Sequence, residues 1–317
     1  MIKIIDFRKE HIAEAKKIAL ANYIEERAAA TVLPEINSVD QLPCLDRFAE
    51  NGLGAVMFDN EKMLGFLCCY DPWDNAFNTG IKGTFSPVHA HGCIAEDRNS
   101  TYKKLYQAAA KKWVDSGIIS HAIALYAHDT QAVNAFFTCG FGLRSVDAIR
   151  SMDSLSITRN HDSIVFSELP KSGLVEIREM RRMLSAHLGE SPCFMNSSFD
   201  VFNNWIKRAE SRDSRVFTAG YDNKPVAFIE TMKNSETFVS DMDCVINICG
   251  AFCMPEFRGR GIAAGLLDYV ISMHRPEGYR CIGVDFESFN LTANGFWLRY
   301  FTAYTYGVVR RIDFPRT

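Results

Sequence analysis

Cysteine is thinly spread in this chain: ten residues in 317, with no Cys-x-x-Cys pair among them. That dilution excludes a disulfide scaffold, and most of the ten sit in apolar strand-like or helix-like runs, as buried free thiols do. Long apolar runs are missing, so nothing in the sequence predicts a bilayer-spanning helix. Met1 to Arg8 reads as a short alternating strand followed by charges rather than as a secretory leader. Excess charge of one sign is missing too. The formal net charge is −3, with basic and acidic residues interspersed, which argues against the basic face that a nucleic-acid binder turns to phosphates. The expectation is a soluble, reduced, cytoplasmic protein with no membrane or nucleic-acid partner.

What the chain does have is a composition that is 47% hydrophobic over 317 residues, enough for two domains of roughly 150 residues each. Periodicity predicts a strand at 3–7, a helix at 11–30, a hairpin over 53–58 and 63–70, and a strand at 84–94. A helix at 101–115, a strand at 118–126, a helix at 131–139 and a strand at 141–149 complete the first half. The second half repeats the order: a strand at 163–166, helices at 174–188 and 199–209, and a hairpin over 216–221 and 226–231. It continues with a strand at 245–254, a helix reaching Met273, a strand at 281–286, a helix at 291–301 and a strand at 306–312. Ala95-Glu96-Asp97-Arg98 aligns with Pro255-Glu256-Phe257-Arg258 (258 minus 98 is 160), and Asn134-x-Phe136-Phe137 aligns with Asn294-x-Phe296-Trp297 at the same offset of 160. A constant offset over two motifs argues for two copies of one fold. A polar stretch at 153–162 marks the junction, giving domains 1–155 and 160–317 in a mixed α/β class.

The most informative stretch is Arg258-Gly259-Arg260-Gly261-Ile262-Ala263, between an apolar strand and an amphipathic helix. Glycines allow backbone N–H groups to converge, and the helix start adds positive potential where an anion would sit. The two arginines supply fork-shaped donors that suit phosphate. No Gly-Lys-Ser/Thr follows, which excludes a P-loop, and Ala264 stands where a dinucleotide fingerprint needs its third glycine.

At Arg258, Gly261 and Ala263 the loop resembles the Arg/Gln-x-x-Gly-x-Gly/Ala motif of the GNAT superfamily of acyltransferases. The resemblance implies two tandem GNAT-like domains with a mixed sheet, and acetyl-CoA as cosubstrate. It implies that Arg258, Gly259, Arg260, Gly261, Ile262 and Ala263 hold the pyrophosphate, and that the fourth-strand residues Phe252, Cys253 and Met254 orient the thioester. Asn290, which opens Asn290-Leu291-Thr292-Ala293, matches the asparagine that contacts the pantetheine arm or an ordered water in that family. An N-cap role for it is open as well. The family's tyrosine is replaced by Trp297, a further cofactor-binding candidate, which leaves Tyr300 and Tyr304 as substitutes for the proton donor. The first copy reads Arg98-Asn99-Ser100-Thr101-Tyr102-Lys103 without a glycine, and the Cβ atoms of Asn99 and Thr101 would crowd a pyrophosphate. A degenerate, non-binding first copy is the expectation.

Acyl transfer to nitrogen needs a neutral amine, and so a base. Glu287, just past the fifth strand, is the leading carboxylate, with Glu230, Asp241, Asp243 and Asp285 also near strand ends. The activity implied is an N-acetyltransferase acting directly on a primary amine of a small molecule or peptide, as a monomer or homodimer. A non-catalytic acyl-CoA-binding module and an acyltransferase with a longer donor are the alternatives. Acidic and aromatic residues at Tyr70–Asp74 and Glu236–Asp243 hint at a cationic acceptor. His89, His91 and Cys93 alternate along one predicted strand, but the outer pair would lie about 13 Å apart, too far for one tetrahedral ion. No metal is expected.

Overall fold

A computed structural model describes residues 1–155, 163–196, 198–233 and 237–313. The polar junction lies outside the described residues from 156 to 162, and so does Glu236. The chain divides into two compact units, Met1–Asp147 with Thr302–Thr317, and Ala148–Phe301. A division at 155 and 160 keeps the chain's last strand with the second half; here those residues belong to the first unit.

The first unit contains β1 (Ile2–Asp6), α1 (Ile12–Ala29), α2 (Asp46–Glu50), β2 (Ala55–Asp59), β3 (Lys62–Leu67), β4 (Gly83–Ser86) and β5 (His91–Cys93). It continues with α3 (Arg98–Asp115), β6 (Ser120–Tyr126), α4 (Thr130–Thr138) and β7 (Gly142–Ser151), whose last residues cross into the second unit. β1, β2, β3 and β5 form an antiparallel sheet, and β4 runs parallel to β6. The core under these strands is aromatic and aliphatic, with Trp113, Tyr102, Leu105 and Phe136 buried from α3 and α4.

The single strand predicted over 84–94 is two strands. Pro87 cannot donate to a ladder, and the chain turns there, with the Ala90 N–H bonded to the Pro87 carbonyl at 2.8 Å. His89 lies in that turn, so the alternation of His89, His91 and Cys93 along one strand is corrected. The His91 ring instead donates from Nε2 to the Ala124 carbonyl at 2.6 Å and meets the Tyr102 hydroxyl through Nδ1. Burial lowers its pKa.

The second unit holds β8 (Ile164–Leu169), α5 (Arg178–Gly189), α6 (Phe199–Ser211), β9 (Ser214–Tyr221), β10 (Lys224–Met232), β11 (Val245–Cys253), α7 (Ile262–His274), β12 (Cys281–Glu287) and α8 (Leu291–Tyr300). Strand order is β12-β11-β10-β9-β8. The β9–β10 hairpin turns at Asp222 and Asn223, both left-handed at φ 48° and 59°, the conformation that a two-residue hairpin requires and that Asp and Asn tolerate. The final strand, β13 (Thr302–Arg311), pairs antiparallel with β6 in the first unit.

β11 changes partner along its length. Val245–Ile248 pair in parallel with Cys281–Val284 of β12, and that pairing ends there among the described residues. On the other side β11 pairs with β10 as far as Cys253. Between Glu230↔Gly250 and Thr231↔Ile248 the register skips Cys249. That extra residue is a bulge, which bends the strand carrying it. The edge of β11 beyond Ile248 is thereby left open toward β12. The first unit makes the same switch: β4 pairs with β6, then β5 pairs with β3.

Glu230 stands beside the bulge and is fully buried. Arg181 Nη2 donates to Oε2 at 2.9 Å, while Arg212 Nε and Ser214 Oγ donate to Oε1 at 2.9 and 2.7 Å. Removing one partner of such a pair strands a buried charge. Glu230→Ala should therefore lower the unfolding free energy by about 3–5 kcal/mol, read as a reduced midpoint in urea denaturation.

Candidate functional site

The second unit carries a cleft of about 400 Å³ where the open edge of β11, the start of α7, α5 and α8 converge. Its floor is the end of β11. After Cys253 the chain makes one 3-10 turn, Pro255–Phe257, with Pro255 at its first position, where a missing N–H costs nothing. Arg258 is extended. Gly259 and Gly261 follow in the left-handed region at φ 74° and 77°, which L-residues with a Cβ rarely adopt. Those two reversals bring the chain directly into α7.

The N-terminus of α7 has no side-chain cap, and its first intrahelical bond is Gly265 N–H to the Gly261 carbonyl at 2.9 Å. The amides of Ile262, Ala263 and Ala264 precede that bond, and all three residues line the cleft. Orphan amides at a helix start, with the dipole behind them, are the donors that anion binding calls for. Arg258 is held at its rim, donating from Nε to the Cys253 carbonyl at 2.9 Å, with its guanidinium 5.3 Å from the Phe252 ring centroid.

The matching stretch of the first unit is not a loop. Arg98–Lys103 is the opening of α3, capped by Asp97, whose Oδ1 accepts from Ser100 N–H at 2.9 Å. Gln131 Oε1 accepts from Arg98 N–H at 3.0 Å and from Asn99 N–H at 3.4 Å. The Arg98 guanidinium is bonded to Asp129 at 3.0 Å and also to Glu25, and Thr101 is buried inside the helix. The protein's own carboxylate and amide groups occupy the donors that an anion would need.

Of the residues singled out from sequence, the cleft gathers Phe252, Cys253, Arg258, Gly259, Gly261, Ile262, Ala263, Asn290, Trp297 and Tyr300. Four are not among its lining. Met254 packs against the core around Ile177 and Phe228. The Arg260 guanidinium lies 5.5 Å from the Phe257 ring centroid. Glu287 ends β12, half-buried, and Tyr304 is buried on β13 in the first unit. Among the other carboxylates, Glu230 is enclosed by arginines, Asp243 pairs with Lys233 at 2.7 Å, and Asp241 and Asp285 are exposed.

Asn290 caps α8: its Oδ1 accepts from Ala293 N–H at 3.3 Å and from the Thr292 hydroxyl at 2.9 Å. Burial pushes the thiol of Cys249 up to about 12 and raises that of Cys253, against the pull of Arg258, so neither is set up as a thiolate nucleophile. Leu184, His187, Phe296 and Arg299 also line the cleft and were not found from sequence. The helical spacing of Met180, Leu184 and His187 was the available signal, but only packing shows which face of α5 meets β11.

Residues 179–301 match the acetyltransferase (GNAT) family, and the fold agrees. A GCN5-related N-acetyltransferase from Sphaerobacter thermophilus, 14% identical, superposes with a TM-score of 0.57 over 98% of this chain and 98% of that one. A GCN5-related glucosamine N-acetyltransferase region of a fungal multi-domain GH3 beta-N-acetylglucosaminidase, 13% identical, gives 0.52 over 98% of this chain and 38% of that one. No curated protein matches in sequence. The chain has the GNAT fold, and the stretch of its second unit that matches the family spans residues 179–301. Family and fold together support acyl transfer in general.

Gly261→Ala places a Cβ on a left-handed backbone, so it should cost about 1–2 kcal/mol, measurable as a lowered midpoint in urea denaturation with the circular dichroism spectrum unchanged.

Proposed function

We propose that the second unit binds acetyl-CoA in this cleft and transfers the acetyl group directly to a primary amine of a small molecule or peptide. The observation that carries the reading is the uncapped start of α7, entered through two left-handed glycines beside the open edge of β11. The amides of 262–264 and the Arg258 guanidinium suit a pyrophosphate in number and charge. A group bound there would run along the unpaired edge of β11, whose backbone can hydrogen-bond an extended amide chain as another strand would. Oδ1 of Asn290 is engaged by its own helix, which leaves the Nδ2 amide to donate to that chain.

Bound acetyl-CoA supplies an activated thioester carbonyl. The protein's part is to position it and manage protons. Tyr300, at the end of α8 with its ring 5.3 Å from Phe296, is the phenol within the cleft that can protonate a leaving thiolate, since Trp297 has no acidic proton. The raised thiols favour transfer without an acyl-cysteine stage. The first unit, with its helix start capped from within, is a degenerate copy.

Calorimetry with acetyl-CoA tests the reading. Gly261→Val should abolish the heat of binding, while Thr101→Val in the first unit should leave it unchanged. Equal losses would overturn the assignment of one binding unit. Release of free CoA with a panel of primary amines tests the transfer. Tight binding with no turnover on any amine would favour a non-catalytic acyl-CoA module, the reading that Trp297 at the family's tyrosine position supports. Competition by longer acyl-CoA thioesters reports the donor.

A further inference from the structure

Resting on the acyl-transfer reading, the cleft still requires a group that takes a proton from an ammonium. Among the described residues, the ionisable side chains lining it are His187, Cys253, Arg258, Arg299 and Tyr300. Guanidinium groups do not deprotonate in proteins and a phenol is a donor near neutral pH. Cys253 is driven toward its protonated form by burial. The carboxylates considered from sequence lie elsewhere: Glu230 is held by Arg181, Arg212 and Ser214, Asp243 by Lys233, and Glu287 is outside the lining.

His187 remains, and its hydrogen bonds specify which nitrogen is basic. The backbone N–H of Ala293 can only donate, so the Asn290 atom facing it at 3.3 Å is Oδ1. His187 Nε2 lies 3.2 Å from that same oxygen and 3.3 Å from the Thr292 hydroxyl. An amide oxygen only accepts, so Nε2 carries the hydrogen and donates it. In the neutral ring the lone pair is then on Nδ1. α5 seats the ring, because Met180 and Leu184 of the same helix pack in the core that holds Phe252.

We propose that His187 is the proton acceptor of this site, acting through Nδ1, with Asn290 as the positioning residue that fixes its tautomer. One proton passes from the ammonium to Nδ1, leaving a neutral amine and an imidazolium. The amine nitrogen forms the C–N bond, the C–S bond breaks with its electron pair going to sulfur, Tyr300 protonates the thiolate, and the second N–H proton restores the phenol. The imidazolium returns its proton to solvent. Ammonium and thioester become amide, thiol and one proton.

His187→Gln separates the roles, because a glutamine amide can still donate to Asn290 but has no basic nitrogen. CoA release is followed with glucosamine, spermidine, lysine and an N-terminal peptide as acceptors. The variant should lose about 100-fold in kcat/KM near neutral pH, and the loss should narrow as pH rises and the free amine becomes available. Acetyl-CoA affinity by calorimetry should be unchanged. Independently of turnover, nitrogen NMR of histidine-labelled protein, with the His187 signal assigned by its absence in the variant, should show the Nε2–H tautomer. A variant that matches the wild type at every pH, or an Nδ1–H tautomer, overturns the proposal. If wild-type protein binds acetyl-CoA yet acylates none of the amines, the acyl-transfer reading falls and His187's role falls with it. That pattern is distinct from a loss confined to the variant.

Discussion

The second unit is organised by one extra residue in β11. Cys249 has no opposite number on β10, and at that point β11 stops pairing with β12. A strand in the middle of a sheet normally has no free backbone groups to offer a ligand. Here bending releases one edge over half its length without exposing the other. The open edge is useful because the same strand leads straight into Arg258–Ala263 and α7. One wall of the cleft therefore supplies backbone along its side and uncapped amides at its end. The price at the bulge is a polar interior: Glu230 sits opposite Gly250, where a Cβ would lie 3.4 Å from Oε2. Two arginines and a serine surround the carboxylate.

The two units share this partner switch and differ in what meets the following helix. In the second, glycines at φ 74° and 77° place a bare helix start against the cleft. In the first, Asp97 and Gln131 satisfy the corresponding amides, and Asp129 and Glu25 take up Arg98. An incoming anion would have to displace carboxylates already in place, on top of the missing glycines. Sequence comparison found the second of these differences. The first depends on α4, whose Gln131 reaches back to the start of α3.

Most elements were legible because they rest on local physics: helical spacing of apolar residues, alternation in strands, and Asp222-Asn223 in a hairpin turn. The misreadings have local causes too. Apolar spacing carries one strand through Pro87, where the chain turns, and starts α3 at Thr101, whereas the Asp97 cap starts it at Arg98. The offset of 160 correctly pointed to a repeated fold, but it carried no information on which unit the final strand joins. Strand pairing over that distance is a tertiary choice, and β13 pairs with β6.

The shape of the Arg258–Ala263 loop was legible in sequence alone, since Gly259 and Gly261 are the residues a doubly reversed chain needs. The Asn290 cap was likewise readable from its place before an apolar helix. Tertiary structure decided the rest of the site. It placed Tyr300 in the cleft and Tyr304 in the other unit, enclosed Glu230 among arginines, and set His187 against Asn290 across 103 residues of chain. No spacing rule could have paired those two residues. Their meeting depends on which face of α5 packs against β11, and burial of Met180 with Leu184 sets that face.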